Sequence, residues 1–208
     1  MEIQKVGVLG CGVMGRAIAI RVASAGLSTI LVKVTNESVN DIVGKIDEDL
    51  KKGKLSEEAR KAVWANLRVS YRVSDIENCD IAIESIIEDL SEKKNLFRQL
   101  EQRTKAGIIL ASNTSTFSVA ELASMTSRAD HVVGSHFFNP VSMMKLVEVV
   151  RTPKTSVHVV EAVESFMRRL SKTPIVVDDT PGFIVNRLLT PYLLDAMRCA
   201  ESGLASME

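Results

Sequence analysis

His136 and Glu148 are the first residues whose types and placement suggest chemistry. His136 lies near the end of a strand-like run at 131–138, and Glu148 sits in a second run at 145–151. The bridge Asn139-Pro140-Val141-Ser142-Met143-Met144 is too short for a crossover, so the two strands are expected to be antiparallel. An imidazole titrates in the range needed to take a hydroxyl proton while hydride leaves the same carbon. A carboxylate on the neighbouring strand would orient the ring and stabilise the imidazolium. Flanked by Phe137 and Phe138, the histidine reads equally as a core side chain, and spacing leaves both readings standing. Polar groups also close other strand-like segments: Ser112-Asn113-Thr114-Ser115, and the stretch from Asp179 to Arg187 that contains Asn186. In an open α/β sheet the carboxyl ends of strands face the ligand crevice, so these segments are expected to converge.

The second chemistry is anion binding. Gly10-x-Gly12-x-x-Gly15 follows a short β-rich run at 5–9 and opens a helical pattern. The first glycine permits a tight turn, the second a close approach of backbone to a pyrophosphate, and the third close packing of helix on strand. Gly10, Gly12 and Gly15, with Val13 and Met14 between them, form the candidate dinucleotide cradle, and Cys11 reads as a small side chain that fits there. An acidic residue is expected near position 33 to accept from the adenine ribose, but the residue is Lys33. A lysine only donates. Three readings stay open: Lys33 pairs with the 2′-phosphate of NADP; the ribose is held by Thr35, Asn36 or Glu37; or Lys33 faces solvent and NAD is bound less tightly.

The periodicity provides a scaffold for these groups. Strands are expected at 5–9, 28–34, 67–70, 80–84, 107–112, 131–138, 145–151 and 173–177, and helices from Arg16 to Ala25, from Leu90 to about Gln102, over 156–170 and from about Phe183 to Glu201. Residues 37–66 read as a helical hairpin with Ser56 capping its second helix, and Lys51, Lys52 and Lys54 as part of a solvated face rather than a phosphate site. Ser118 and Glu121 have capping-box spacing. The alternation predicts an α/β, Rossmann-like, doubly wound and mostly parallel sheet, with an added antiparallel strand pair and a long C-terminal helix. That last helix carries Leu188, Leu189, Tyr192, Leu193 and Met197 with no later segment to cover them, so association with a second copy is expected.

Composition narrows the partners. Twenty-six basic and twenty-six acidic residues cancel over 208 positions, which gives no electrostatic footprint for nucleic acid or an anionic membrane. The three cysteines match neither a disulfide framework nor a metal site and suit a reducing compartment, bacterial or archaeal cytoplasm or mitochondrial matrix, of which the cytoplasm is expected because no segment reads as a transit peptide. No segment reads as a secretion signal or a membrane span.

Five motifs in order then point to a family. They are Gly-Cys-Gly-Val-Met-Gly, the stretch from Glu84 to Lys93, Ser-Asn-Thr-Ser, His-Phe-Phe-Asn-Pro-Val with Met-Lys-Leu-Val-Glu-Val-Val, and Asp-Thr-Pro-Gly-Phe-Ile-Val-Asn-Arg. Over essentially its whole length the chain resembles the L-3-hydroxyacyl-CoA dehydrogenase family, which includes 3-hydroxybutyryl-CoA dehydrogenases. The resemblance implies a nicotinamide cofactor, NAD or, given Lys33, NADP, and an acyl-CoA substrate. It implies that His136 is the catalytic base with Glu148 as its partner, and that Ser115 and Asn186 bond around the substrate's 3-oxygen and the histidine. Glu88 and Lys93 match residues near the nicotinamide and its ribose, and Asn113 falls with the cofactor contacts. Family members continue into a helical domain that dimerises and closes over the acyl-CoA. Residues 1–182 are therefore expected to be the dinucleotide-binding domain, and 183–208 the first helix of a shortened helical one. Two alternatives remain beside this reading: a non-catalytic dinucleotide-binding relative, and a dehydrogenase of hydroxy acids without CoA.

Overall fold

The computed structural model describes residues 2–34 and 38–204. Thr35, Asn36 and Glu37, the alternative ribose contacts, lie outside the described residues. Strand β1 (Lys5–Leu9) leads into α1 (Val13–Ser24), which starts earlier than the apolar stripe suggests because Gly12 is its N-cap. β2 (Ser28–Val32) follows, then α2 (Val39–Lys52) and α3 (Glu57–Asn66). Ser38 and Ser56 cap these two helices by accepting from Asp41 N and Ala59 N. β3 (Leu67–Ser70), a 3-10 turn at Val73–Ile76 and β4 (Ile81–Glu84) lead to α4 (Leu90–Arg103), β5 (Ile109–Ser112) and the short α5 (Val119–Ala123). β6 (Val132–Phe137), β7 (Leu146–Arg151), α6 (Val157–Arg169), β8 (Thr173–Asp178) and α7 (Val185–Glu201) complete the order.

The strands form one eight-stranded sheet in the order β3-β2-β1-β4-β5-β6-β7-β8. β1 to β6 are parallel, β6 and β7 antiparallel, and β8 pairs parallel with β7 through α6, a second crossover that the sequence reading did not draw. The chain winds outward from β1 to β2 and β3, then returns to β4 on the other side. That reversal opens a crevice at the carboxyl ends of β1 and β4. Alternation along the strands divides the core. Val6, Val8, Ile81, Ile83, Val147 and Val149 pack beneath α1, α2 and α6, whereas Leu9, Ala82, Leu110 and Val150 pack beneath α4 and α5. Among the described residues no helix is long and apolar enough to cross a membrane.

Three further features differ from expectation for local reasons. β2 ends at Val32 because its partner β3 ends at Ser70; Lys33 N still reaches Ser70 O at 2.8 Å, but the ladder stops there. α7 begins at Val185 rather than Phe183 because Gly182 and Phe183 both take positive φ (78° and 48°), a conformation that breaks the helix and buries the Phe183 ring. The capping box at α5 is half-formed. Ser118 Oγ accepts from Glu121 N, but the Glu121 carboxylate pairs with Lys94, and Asp179 takes its place by accepting from Val119 N and Ala120 N.

The glycine loop is a steric knot. Gly10 has φ of 111°, and a Cβ there would lie 2.2 Å from Ser85 O; a Cβ on Gly15 would lie 1.9 Å from Gly10 O. Gly15→Ala is therefore expected to lose about 3 kcal/mol, the upper range for overpacking, measured as a lower urea midpoint at unchanged m-value.

Candidate active site

A cavity of about 910 Å³ opens at the carboxyl ends of the strands. Of the residues singled out in the sequence, Gly10, Gly12, Val13, Met14, Lys33, Glu88, Asn113, Ser115, His136 and Asn186 line it; Gly15, Lys93 and Glu148 do not. Gly15 is the packing glycine of the loop. Lys93 and Glu148 are buried behind the wall at 1% and 0% exposure.

His136 and Glu148 stand directly opposite in the β6–β7 ladder, and opposed residues point to the same face. His136 Nδ1 lies 2.6 Å from Glu148 Oε2, and the other oxygen accepts from Ile184 N and Val185 N, each at 2.9 Å. Burial would raise the Glu148 carboxyl, but the His136 bond and these two amides outweigh it and hold it below its ordinary value. An ionised carboxylate only accepts, so Nδ1 is the donor of this bond, and in the neutral ring Nε2 is then the acceptor. Phe138 and Phe183 cover the imidazole, with ring centroids 4.5 and 5.8 Å away. Asn186, in the first turn of α7, donates to Ser115 O at 3.3 Å, and no hydrogen bond within the described residues engages the Ser115 hydroxyl. Asn113 braces three strand ends: its Oδ1 accepts from Phe137 N and its Nδ2 donates to Ser85 Oγ.

Glu88 is engaged within the protein. One oxygen accepts from Ser115 N, Thr116 N and the hydroxyls of Thr114 and Thr116; the other lies 3.1 Å from Lys93 Nζ. Partial burial opposes ionisation, yet the threonine hydroxyls and the Lys93 charge pull its pKa down to about 2. In this geometry Glu88 fastens the loop that presents Ser115. Lys93 in turn is 2.6 Å from Glu84, a fully buried carboxylate that also accepts from Ile86 N and Ser112 Oγ. Sequence reasoning assigned no role to Glu84, although an acidic residue ending the apolar run Ile-Ala-Ile is a signal that a buried cation must follow. It also passed over Arg16, whose guanidinium holds Cys11 O at 2.9 Å and Asp49 of α2 at 2.8 Å, tying the glycine loop to the hairpin.

Residues 5–180 match the family described as 3-hydroxyacyl-CoA dehydrogenase, NAD binding domain. The chain belongs to the 3-hydroxyacyl-CoA dehydrogenase family. It is 41% identical to a mitochondrial hydroxyacyl-coenzyme A dehydrogenase of Rattus norvegicus, over 99% of this chain and 69% of that protein. It is 36% identical to a 3-hydroxybutyryl-CoA dehydrogenase of Clostridioides difficile, over 98% and 74%. The crystal structure of (S)-3-hydroxybutyryl-CoA dehydrogenase from Ralstonia eutropha superposes with a TM-score of 0.92 at 38% identity, covering 99% of this chain and 74% of that one.

The matched family is one of nicotinamide-binding domains, and the glycine cradle fits such a cofactor. Gly12 caps α1 with no side chain engaged, and a Cβ there would meet nothing within 4 Å, so open space faces the first amides of the helix.

Lys93→Met leaves Glu84 buried without its cation and is expected to cost about 3–5 kcal/mol, read from urea unfolding. Glu88 and Glu148 are lowered from 4.5 in the folded state, so the stability they add is complete above that pH and is lost as pH falls through their folded values. For Glu88 that window runs from 4.5 down to about 2. Glu88→Gln is expected to flatten stability against pH within it, checked by urea midpoints at successive pH values.

Proposed function

We propose that this protein interconverts an L-3-hydroxyacyl-CoA and the corresponding 3-oxoacyl-CoA. The observation that carries the reading is the buried His136–Glu148 pair, held at 2.6 Å and opening on the cavity that contains the glycine cradle. The nicotinamide, when bound, would supply the hydride exchange at C3 of the substrate. His136 Nε2 removes the 3-hydroxyl proton in oxidation and gives it back in reduction. Glu148 fixes the tautomer and balances the imidazolium charge. The hydroxyl of Ser115 and the amide of Asn186 orient the 3-oxygen. Gly10, Gly12, Val13, Met14 and Asn113 wall the cofactor side, while Glu88 and, behind it, Lys93 keep Ser115 in place.

We further read residues 1–182 as the dinucleotide-binding unit and 183–208 as the beginning of a helical one. None of the residues of α7 is buried, and Leu188, Tyr192 and Met197 are exposed at 69%, 70% and 60%, an apolar face suited to a second copy of the chain. Cys11, Cys79 and Cys199 form no disulfide among the described residues, and burial raises the Cys79 thiol to about 11, which suits a reducing compartment such as the cytoplasm.

The deciding experiment follows loss of nicotinamide absorbance with acetoacetyl-CoA, alongside free acetoacetate. Turnover of the thioester alone supports the reading; equal turnover of both would favour a dehydrogenase that ignores CoA. His136→Ala is expected to lower kcat by about 10²–10⁴ with dinucleotide affinity unchanged, and Glu148→Gln to lower it less. Binding lost in His136→Ala, or wild-type rates in Glu148→Gln, would remove those roles.

A further inference from the structure

We propose that the end of β2 is a subsite for the 2′-phosphate of the adenosine ribose, so that the chain prefers NADP(H), with Lys33 as its cation. The proposal rests on the dinucleotide reading of the cavity. Lys33 is the first residue beyond β2 and lines the same cavity as Gly10 and Gly12. Gly10 N donates to Val32 O at 2.9 Å, so the glycine loop abuts the end of β2. With the pyrophosphate at the head of α1, the adjoining ribose falls over that strand end. There the side chain decides between two chemistries. A carboxylate accepts from a 2′-hydroxyl, whereas an ammonium has no acceptor and pairs with a phosphate dianion.

The surroundings favour the dianion. The carboxylates that line the cavity, Glu88 and Glu92, both belong to the segment after β4, on the far side of β1 from β2. On the near side, β3 and the turn after it bring Arg68 and Arg72 to a single carboxylate, Asp75, at 3.5 and 3.3 Å. Arg68 and Arg72 thus share one carboxylate at the edge of β3, the strand that pairs with β2. Arg72 also lies over the exposed ring of Tyr71, 5.5 Å from its centroid. Lys33 already has a partner within the chain, so the phosphate joins an occupied cation rather than an idle one.

The test is direct titration of the whole chain with NADPH and with NADH, followed by dinucleotide fluorescence and calorimetry, with adenosine 2′,5′-bisphosphate and AMP as fragments. NADPH is expected to bind about tenfold more tightly or better, and the bisphosphate more tightly than AMP, as a charge-assisted contact to phosphate requires. Lys33→Ala should erase the preference and Lys33→Asp should invert it, with unchanged melting temperatures in the absence of dinucleotide. Equal or tighter binding of NADH by the unsubstituted chain would overturn the subsite while leaving the dinucleotide reading intact. An NADPH preference that survives Lys33→Ala would also overturn it. Failure of both dinucleotides to bind would bring down the cofactor reading and the subsite together.

Discussion

The buried carboxylate of Glu84 sets the condition that one wall of the cavity must satisfy. A charge without access to water has to find donors for each of its oxygens, and Glu84 finds them on three elements: Ile86 N after its own strand, Ser112 at the end of β5 and Lys93 in the first turn of α4. Lys93 then has donor capacity left for Glu88, and Glu88 gathers the backbone and hydroxyls of 114–116. The result is a chain of charge from the sheet interior to the loop that carries Ser115. Each link is short, and an uncharged residue in place of Lys93 would leave Glu84 buried without its cation.

The opposite wall is built on a different principle. There the antiparallel pairing of β6 with β7 places His136 and Glu148 in register without any intervening side chain. The turn at 179–184 completes the set. Asp179 caps α5, Phe183 packs at the imidazole, and the next two amides close on Glu148. A single six-residue turn thus seals a helix end, a ring face and a carboxylate.

Much of this was legible in the sequence, because it follows from period and spacing. The β-α-β order around the glycine motif, the hairpin with its Ser56 cap, and the antiparallel pair forced by a short bridge all have local causes. The placement of His136 opposite Glu148 follows from that pair. What was not legible depends on residues far apart in the chain meeting in space. Spacing singled out Ser118 and Glu121 as a capping box, but Lys94 draws the Glu121 carboxylate away and Asp179 arrives from sixty residues downstream. The family resemblance sets Lys93 near the nicotinamide and its ribose, whereas its side chain turns inward to Glu84. Pro181 reads as a helix start and so places Phe183 in the first turn, whereas its backbone is left-handed and its ring belongs to the core.

The two amides at the head of α7 also bear on local stability. Backbone groups at a helix terminus open and close more readily than those in the sheet, and here that opening is not separate from the centre of the molecule. When the first turn of α7 frays, Glu148 loses two of its three donors and the imidazole loses a fixed partner. The free energy that holds the turn closed is therefore shared with the one that holds His136 in its tautomer. Linkage makes the exchange reciprocal: a ligand that needs the ordered imidazole tightens a helix turn on the surface, and anything that tightens that turn improves the site for the ligand by the same amount.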